Sequence, residues 1–403
     1  MITENIETSP KHTKQTFSYA TSLAWQKLSY YGWRSILFFL FIDQVDKSDT
    51  LEITNLFLWI SIGLSIAYIF GGILGDLLIG NKNTAIIGGI VMFTGSMLFF
   101  FDLSITPYIP ITIFITGCGL YQSNLKSIYA KLYLHDTRLL DSGFLIFNLF
   151  INIGSFFGVL IVGLITEKYG VEYGFLTVGV STILSIIMLL LTKNTTQPSV
   201  KSYPHKELLI NRINLKYLSQ VLALYTLYCF AWRLSYYDIN ALYWDIDLGP
   251  HFISYFWVDN VSLVFHLIIG IYLIILWTKK YYDKITKLTI SAVITLVSFS
   301  LSYFLFNENS VTTSILTVFV LFAYTFADLL VLPIIDSSIA KLINRKFLAI
   351  AYGTVSIITM GIGYVFLFIE NGIKLLVEST IYVGLGGLLV LSIILIIRKF
   401  KPE

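Results

Sequence analysis

Long apolar stretches recur along the whole chain, separated by short polar or charged connections. About twelve of them reach the roughly twenty residues that a helix needs to cross a hydrocarbon core. They lie near 17–43, 52–80, 84–102, 107–134, 140–166, 173–192, 215–240, 252–277, 286–306, 311–338, 347–369 and 378–398. Several exceed that minimum, which implies tilt or ends that project beyond the bilayer. Helices satisfy their own backbone hydrogen bonds, so the pattern predicts an all-α polytopic membrane protein. Composition agrees: 56% of the 403 residues are hydrophobic and 13% are charged.

The connections predict orientation. One alternating set carries Lys11, Lys14, Lys82, Lys131, Arg138, Lys193 to Lys216, Lys279 to Lys287, Lys341 to Lys346, and Arg398 to Lys401; the other carries only Lys47, Lys168 and Lys374 and is acidic. Basic loops stay cytoplasmic. The expectation is a multi-pass protein of the cell (inner) membrane with both termini inside. The polar start, Met1 to Thr16, lacks the order of a cleaved signal peptide, so the first helix is expected to remain as an anchor. The longest polar connection, 193–214, contains Pro198 and Pro204 and divides the chain into two six-helix halves, 1–192 and 215–403. It is too short for a soluble domain, so activity is expected among the helices. The net charge of +3 adds little.

Gly71-x-x-x-Gly75 and Gly154-x-x-x-Gly158 read as close helix–helix contacts. Gly117/Gly119, Gly361/Gly363 and the Gly384–Gly387 cluster lack the dinucleotide fingerprint and read as packing glycines. Cys118 and Cys229, the two cysteines, fall inside apolar stretches and form neither a disulfide framework nor a metal spacing. No catalytic motif, metal site, cofactor loop or basic nucleic-acid surface is present, which argues against an enzyme.

The polar residues inside the spans carry the candidate chemistry. In Trp25-Gln26-Lys27-Leu28-Ser29-Tyr30-Tyr31-Gly32-Trp33-Arg34, helical spacing puts Lys27, Arg34 and at least one tyrosine on one face. A charge at the centre of a membrane helix costs about 2.5–3.5 kcal/mol on insertion scales, so this face points to a bundle interior or a wet cavity. For Lys27 the plainer alternative is a side chain that snorkels to the headgroups. Arg233-Leu234-Ser235-Tyr236-Tyr237 repeats Lys27-Leu28-Ser29-Tyr30-Tyr31 near half a chain later, as a two-repeat transporter would. Asp328 lies mid-span as the clearest anionic partner, and pairing with Arg34 or Arg233 to lock the halves is its alternative role. His266 is a candidate proton carrier or a packed core histidine. Lys126 reads as a gate or a snorkelling residue.

Four stretches together resemble the proton-dependent oligopeptide transporter family of the major facilitator superfamily. Trp25–Arg34 is similar to its E-x-x-E-R-F-x-Y-Y-G segment, and Gly71-Gly72-Ile73-Leu74-Gly75-Asp76 to its G-G-x-x-A-D. Asp141-Ser142-Gly143-Phe144, Ile151-Asn152-Ile153-Gly154, Tyr169-Gly170 and Tyr173-Gly174-Phe175 resemble its helix-five and helix-six signature. Ala327-Asp328-Leu329-Leu330-Val331-Leu332-Pro333 is similar to its G-E-L-x-x-S-P. The resemblance implies peptide contacts at Tyr30, Tyr31, Arg34, Asn152 and Asp328, and a gating role for Asp76. Gln122 stands where the family has a helix-four lysine, and Ser235 near its helix-seven glutamate. Leu23 and Gln26 replace both glutamates of E-x-x-E-R, and Lys27 its arginine. No extra helices fit between the halves.

The resulting expectation is a secondary transporter of small peptides or peptide-like solutes, working by alternating access and driven by protons. Substrate contacts fall to Tyr30, Tyr31, Arg34, Gln122, Asn152, Ser235 and Asp328, and coupling or gating to Lys27, Asp76, Arg233 and His266. Two alternatives stay open: an uncoupled facilitator or exchanger for an anionic or peptide-like solute, and a transporter-derived subunit that binds a partner without transporting. Small peptides, protons and lipid are the expected partners, with no cofactor and no nucleic acid.

Overall fold

The computed structural model describes residues 11–44, 50–101, 107–134, 136–192, 219–231, 255–280, 282–305, 311–358 and 381–400. Among them all regular structure is helical: α1 (Lys14–Gln44), α2 (Thr50–Ile73), α3 (Asn81–Phe101), α4 (Tyr108–Lys131), α5 (Leu140–Tyr169), α6 (Val171–Leu191), α7 (Ser219–Ala231), α8 (Tyr255–Lys279), α9 (Lys284–Leu305), α10 (Val311–Leu342), α11 (348–358) and α12 (Ile381–Phe400). These twelve fall in the twelve apolar stretches. The segments Leu58–Leu78, Asn81–Phe101, Thr137–Tyr169, Val171–Leu191, Lys284–Leu301 and Val318–Leu342 are each long and apolar enough to cross a membrane.

The chain divides into two compact units. One contains residues 12–210 together with 339–360; the other contains 211–338 and 361–403 with residues 1–11. The expected linker, 193–214, lies outside the described residues.

In the first unit, helix contacts rest on small residues, because lipid supplies no hydrophobic drive between helices and close backbone approach must take its place. A Cβ added to Gly88 of α3 would come within 2.6 Å of the Tyr121 backbone nitrogen of α4, and one on Gly158 of α5 would press on the Leu28 carbonyl of α1 at 2.5 Å. Gly154, Gly32, Gly71 and Gly119 are equally tight against backbone or branched side chains. The glycine spacings thus mark real seams. In the Gly384–Gly387 cluster a Cβ on Gly387 would meet Ala231 Cβ at 3.2 Å, whereas among the described residues one on Gly386 meets nothing within 4 Å; Gly361/Gly363 lie outside the described residues.

Buried hydroxyls complete the α1–α4–α6 interface. Ser22 Oγ and Ser185 Oγ each lie 2.6 Å from the Tyr121 hydroxyl, and Ser29 Oγ lies 2.7 Å from Thr182 Oγ1. Trp33 stacks on Phe114 at 4.3 Å, and Phe99 on Phe175 at 4.5 Å. Gly170 turns the chain between α5 and α6 at φ +105°, a conformation that a side chain would strain.

Thr13 begins α1 by accepting the Thr16 N–H on its hydroxyl. Beside it, His12 Nδ1 lies 3.0 Å from the Tyr133 hydroxyl, which itself donates to Thr16 Oγ1 at 2.9 Å. Burial pulls the His12 imidazole below its ordinary pKa.

Candidate functional site

Three clusters collect most of the described candidate residues. The first lies where α1 meets α4 and α2. Lys27 sits mid-way along α1, buried, with Nζ donating to Gln122 Oε1 at 2.9 Å. The Tyr68 hydroxyl donates to the same oxygen at 2.7 Å. Two donors on the carboxamide oxygen leave the amide N–H groups as the donors that Gln122 can offer. Lys27 Nζ also lies 5.4 Å from the Tyr30 ring centre and 5.9 Å from that of Tyr31, within cation–π range. The two tyrosines meet edge to face at 5.2 Å. Lys27 is therefore held between helices and does not snorkel. Its backbone is fixed by α5, where Gly154 abuts Ala24 and the Lys27 Cβ. Among the described residues no carboxylate lies within ion-pair distance of Lys27. Arg34, two turns on, is exposed, and Asn152 is half-buried on α5.

Gln26, next to Lys27 in sequence, turns elsewhere. Consecutive helical residues point about 100° apart, so the two side chains leave α1 in different directions. Gln26 is buried against α3, with Nε2 4.0 Å from Met92 Sδ and Oε1 without a hydrogen-bond partner. Leu23 is fully buried.

The second cluster surrounds Asp76, in the π-helical turn Leu74–Leu78 that ends α2. Its side chain is fully buried. Oδ2 accepts the Ile350 N–H of α11 at 3.0 Å, satisfying one of the orphan donors of a helix start. Oδ1 accepts from Asn81 Nδ2 at 2.9 Å and lies 3.8 Å from Lys131 Nζ. Asn81 donates its other amide hydrogen to Asn124 Oδ1 at 2.8 Å and accepts from Lys131 Nζ at 2.6 Å. Asn124 donates to the Gly71 and Leu120 carbonyls, each at 2.8 Å. Both carboxamides are fully used, so Asp76 is rigidly aimed at α11. Backbones touch beside it: a Cβ on Gly72 would lie 2.7 Å from Ala349 and Ile350 backbone atoms, and one on Gly353 would lie 2.6 Å from the Tyr68 carbonyl. Lys126 Nζ covers the Tyr352 ring at 5.3 Å.

The third cluster belongs to the second unit. His266 Nε2 of α8 lies 3.7 Å from Asp328 Oδ2 of α10. Asp328 keeps a third of its side chain exposed. Tyr225, Tyr228 and Cys229 of α7 are close enough to interact electrostatically with its carboxylate. Ser291 of α9 donates to the Ala327 carbonyl at 2.8 Å and lies 2.9 Å from the Tyr228 hydroxyl, which Thr295 meets from the other side at 3.0 Å. Arg233 and Ser235 lie outside the described residues.

Sequence reasoning put Lys27 and a tyrosine on one face of α1 and named Gln122 apart from them, and the structure joins them. It likewise joins His266 to Asp328. Asp76 belongs to a different place from either. Tyr68, Asn81, Asn124 and Lys131 were missed. Asn124 carried a signal, as a carboxamide inside an apolar span; Tyr68 carried none, since tyrosines are common along this chain.

Comparison with known proteins gives a consistent answer. Residues 26–368 match the Major Facilitator Superfamily. An uncharacterized transporter of Bacillus subtilis (strain 168), YclF, is 30% identical over 307 residues, covering 75% of this chain and 59% of the relative. Dipeptide and tripeptide permease B of Aliivibrio fischeri (strain MJ11) is 31% identical over 178 residues, 43% of this chain and 35% of the permease. The chain thus spans well under two thirds of these relatives' lengths. Among solved structures, a POT family transporter in complex with 5-aminolevulinic acid shares the fold at TM-score 0.61 and 16% identity, covering 96% of each chain.

Proposed function

The chain belongs to the Major Facilitator Superfamily, a family of transporters and not of enzymes, and we propose that it moves small peptides or peptide-like solutes across the cell membrane by alternating access, driven by protons. The peptide permeases among its relatives support the substrate class. The observation that carries the reading is the buried Lys27 ammonium, bonded to a neutral carboxamide and flanked by two tyrosines, with the Gln122 amide N–H groups as further donors. An uncompensated cation inside a membrane protein is costly unless a ligand uses it. A substrate carboxylate supplies the missing charge, and Arg34 adds a guanidinium on the same helix. Tyr30, Tyr31 and Asn152 are suited to the peptide backbone, and Asp328 to its ammonium. Arg233 and Ser235 complete the proposed set.

For coupling, the titratable pair is His266 and Asp328, 3.7 Å apart. One of them must change charge during the cycle, and their proximity lets a proton replace the substrate ammonium. Asp76 serves as the gate through its bond to the start of α11. The basic connections place both termini on the cytoplasmic side, with the halves joined through 193–214.

One observation favours a second reading. The two positions where peptide transporters carry glutamates hold Leu23 and Gln26, both buried and neither able to carry a proton, which fits an uncoupled exchanger. Uptake of labelled dialanine into proteoliposomes, with and without an inward proton gradient and beside an Arg34→Ala control, separates the two. Arg34-dependent accumulation under the gradient supports the symporter; exchange without accumulation supports the carrier; no movement in either condition overturns both.

A further inference from the structure

The outward face of α8 ends on two lysines that no part of the account above uses. Val264, Ile268, Ile271, Tyr272 and Ile275 are each at least half exposed and recur at three- and four-residue steps, which places them on one side of the helix. Ile269, Leu273 and Trp277 form the opposite, buried side. From Val264 to Ile275 the stripe runs about 16 Å at 1.5 Å per residue, close to one leaflet of a hydrocarbon core about 30 Å thick. One turn further along the same side stands Lys279, exposed, and Lys280 follows it, also exposed.

The connection from α8 to α9 is strongly basic: Lys279, Lys280, Lys284 and Lys287 stand beside one acid, Asp283. Three of these charges are engaged within the protein. Lys284 donates to Ser338 of α10 at 2.5 Å. Lys287 Nζ lies 3.8 Å from the centre of the Trp277 ring, on the buried side of α8. Asp283 Oδ2 accepts the Ile285 and Thr286 N–H groups that begin α9, at 3.0 and 3.4 Å. Lys280 Nζ lies 5.4 Å from the Tyr282 ring centre, a contact that leaves its side of the ammonium away from the ring to solvent. Lys279 and Lys280 therefore carry the exposed positive charge at the foot of the stripe.

We propose that this face binds an anionic phospholipid, its acyl chains along the α8 stripe and its phosphate against Lys279 and Lys280. The apolar length and the charge at its end match the two ends of one lipid molecule. A partner helix would match the stripe and not the paired cations; a free phosphate would match the cations and not the stripe. A zwitterionic headgroup sets its own ammonium against the lysines, so the site selects for net negative charge. At the usual strength of a lysine beside an anionic membrane surface, the pair favours such a lipid by about thirtyfold. The site is independent of the solute that the protein carries.

The test uses the full chain in neutral detergent, titrated with dioleoyl phosphatidylglycerol or dioleoyl phosphatidylcholine, with bound lipids counted by native mass spectrometry. Phosphatidylglycerol is expected to bind the wild type at least tenfold more tightly than phosphatidylcholine. Lys279→Gln/Lys280→Gln should lose about thirtyfold in phosphatidylglycerol affinity and keep its weak binding of phosphatidylcholine, whereas Lys279→Arg/Lys280→Arg should match the wild type. Lys14→Gln/Lys168→Gln removes the same charge from two other exposed positions and should leave the affinity unchanged. Equal affinity of the wild type for the two lipids overturns the proposal, as does an equal loss in both glutamine pairs, which would reduce the effect to net charge. Displacement of phosphatidylglycerol by an equal concentration of glycerol 3-phosphate overturns it in favour of a free-phosphate site. A dimer without bound lipid that Lys279→Gln/Lys280→Gln dissociates overturns it in favour of a second copy of the chain.

Discussion

Replacing Gln122 with leucine removes the acceptor shared by Lys27 and Tyr68 while nearly keeping the side-chain volume. The Lys27 bond, 2.9 Å long and charge-assisted, is of the class worth about 1.5–3 kcal/mol, and the 2.7 Å Tyr68 bond adds about 1 kcal/mol. The ring faces of Tyr30 and Tyr31 remain and keep part of the cation's stabilisation, roughly 0.5–2 kcal/mol. The expected net cost is about 2–3 kcal/mol, because a buried ammonium then lacks an acceptor. Lys27→Met removes the donor, so in Lys27→Met/Gln122→Leu only the Tyr68 hydroxyl is left unpaired. A double-mutant cycle, read from reversible SDS unfolding in mixed micelles, is therefore expected to give a coupling of about 1.5–2.5 kcal/mol between positions 27 and 122. Additivity of the two changes within about 0.5 kcal/mol would refute the proposition that this pair organises the α1–α4 face.

Gln26→Leu is expected to raise stability by about 1 kcal/mol in the same unfolding assay, since it removes a buried carboxamide oxygen without a partner; destabilisation would show that the oxygen is satisfied in the membrane. Gly72→Ala forces a Cβ into α11 backbone atoms at 2.7 Å, so it should weaken the α2–α11 contact, read as faster alkylation of a cysteine placed at Ile350 in an otherwise cysteine-free protein; unchanged labelling would contradict it. His12 carries the pH dependence. Its pKa is lowered on folding, so the unfolded segment binds more protons below the ordinary imidazole range, and stability contributed by the docked start of α1 is complete above about pH 6.5 and falls as pH drops beneath it. Hydrogen-exchange protection factors at residues 13–18, corrected for the intrinsic rate at each pH, should fall on acidification in wild type and not in His12→Gln.

Much of the fold is legible from hydropathy alone, because a membrane helix must be long, apolar and self-satisfied. The glycine seams at Gly71, Gly154 and Gly158 are legible for a related reason: where lipid is as apolar as leucine, small residues at one-turn spacing are the signal of contact. The α1 face is legible too, since Lys27, Tyr30 and Tyr31 are bound together by helical spacing. What joins distant helices is not. Nothing in the sequence ties His266 to Asp328, or Gln122 to Tyr68, because each is a single polar residue in an apolar run. That Gln26 packs against Met92 is not legible either, since it stands one turn before Tyr30 and helical spacing alone would allow it on the tyrosine face.

The most direct test of the central claim, that the Lys27 face receives a peptide carboxylate in a cycling carrier, is counterflow of labelled dialanine at equal pH, which removes the coupling question. The account predicts a transient overshoot in vesicles preloaded with unlabelled dialanine, abolished by Lys27→Ala and competed by dialanine but not by its C-terminal amide. Absence of an overshoot, or competition by the amide as strong as by the free acid, would contradict it.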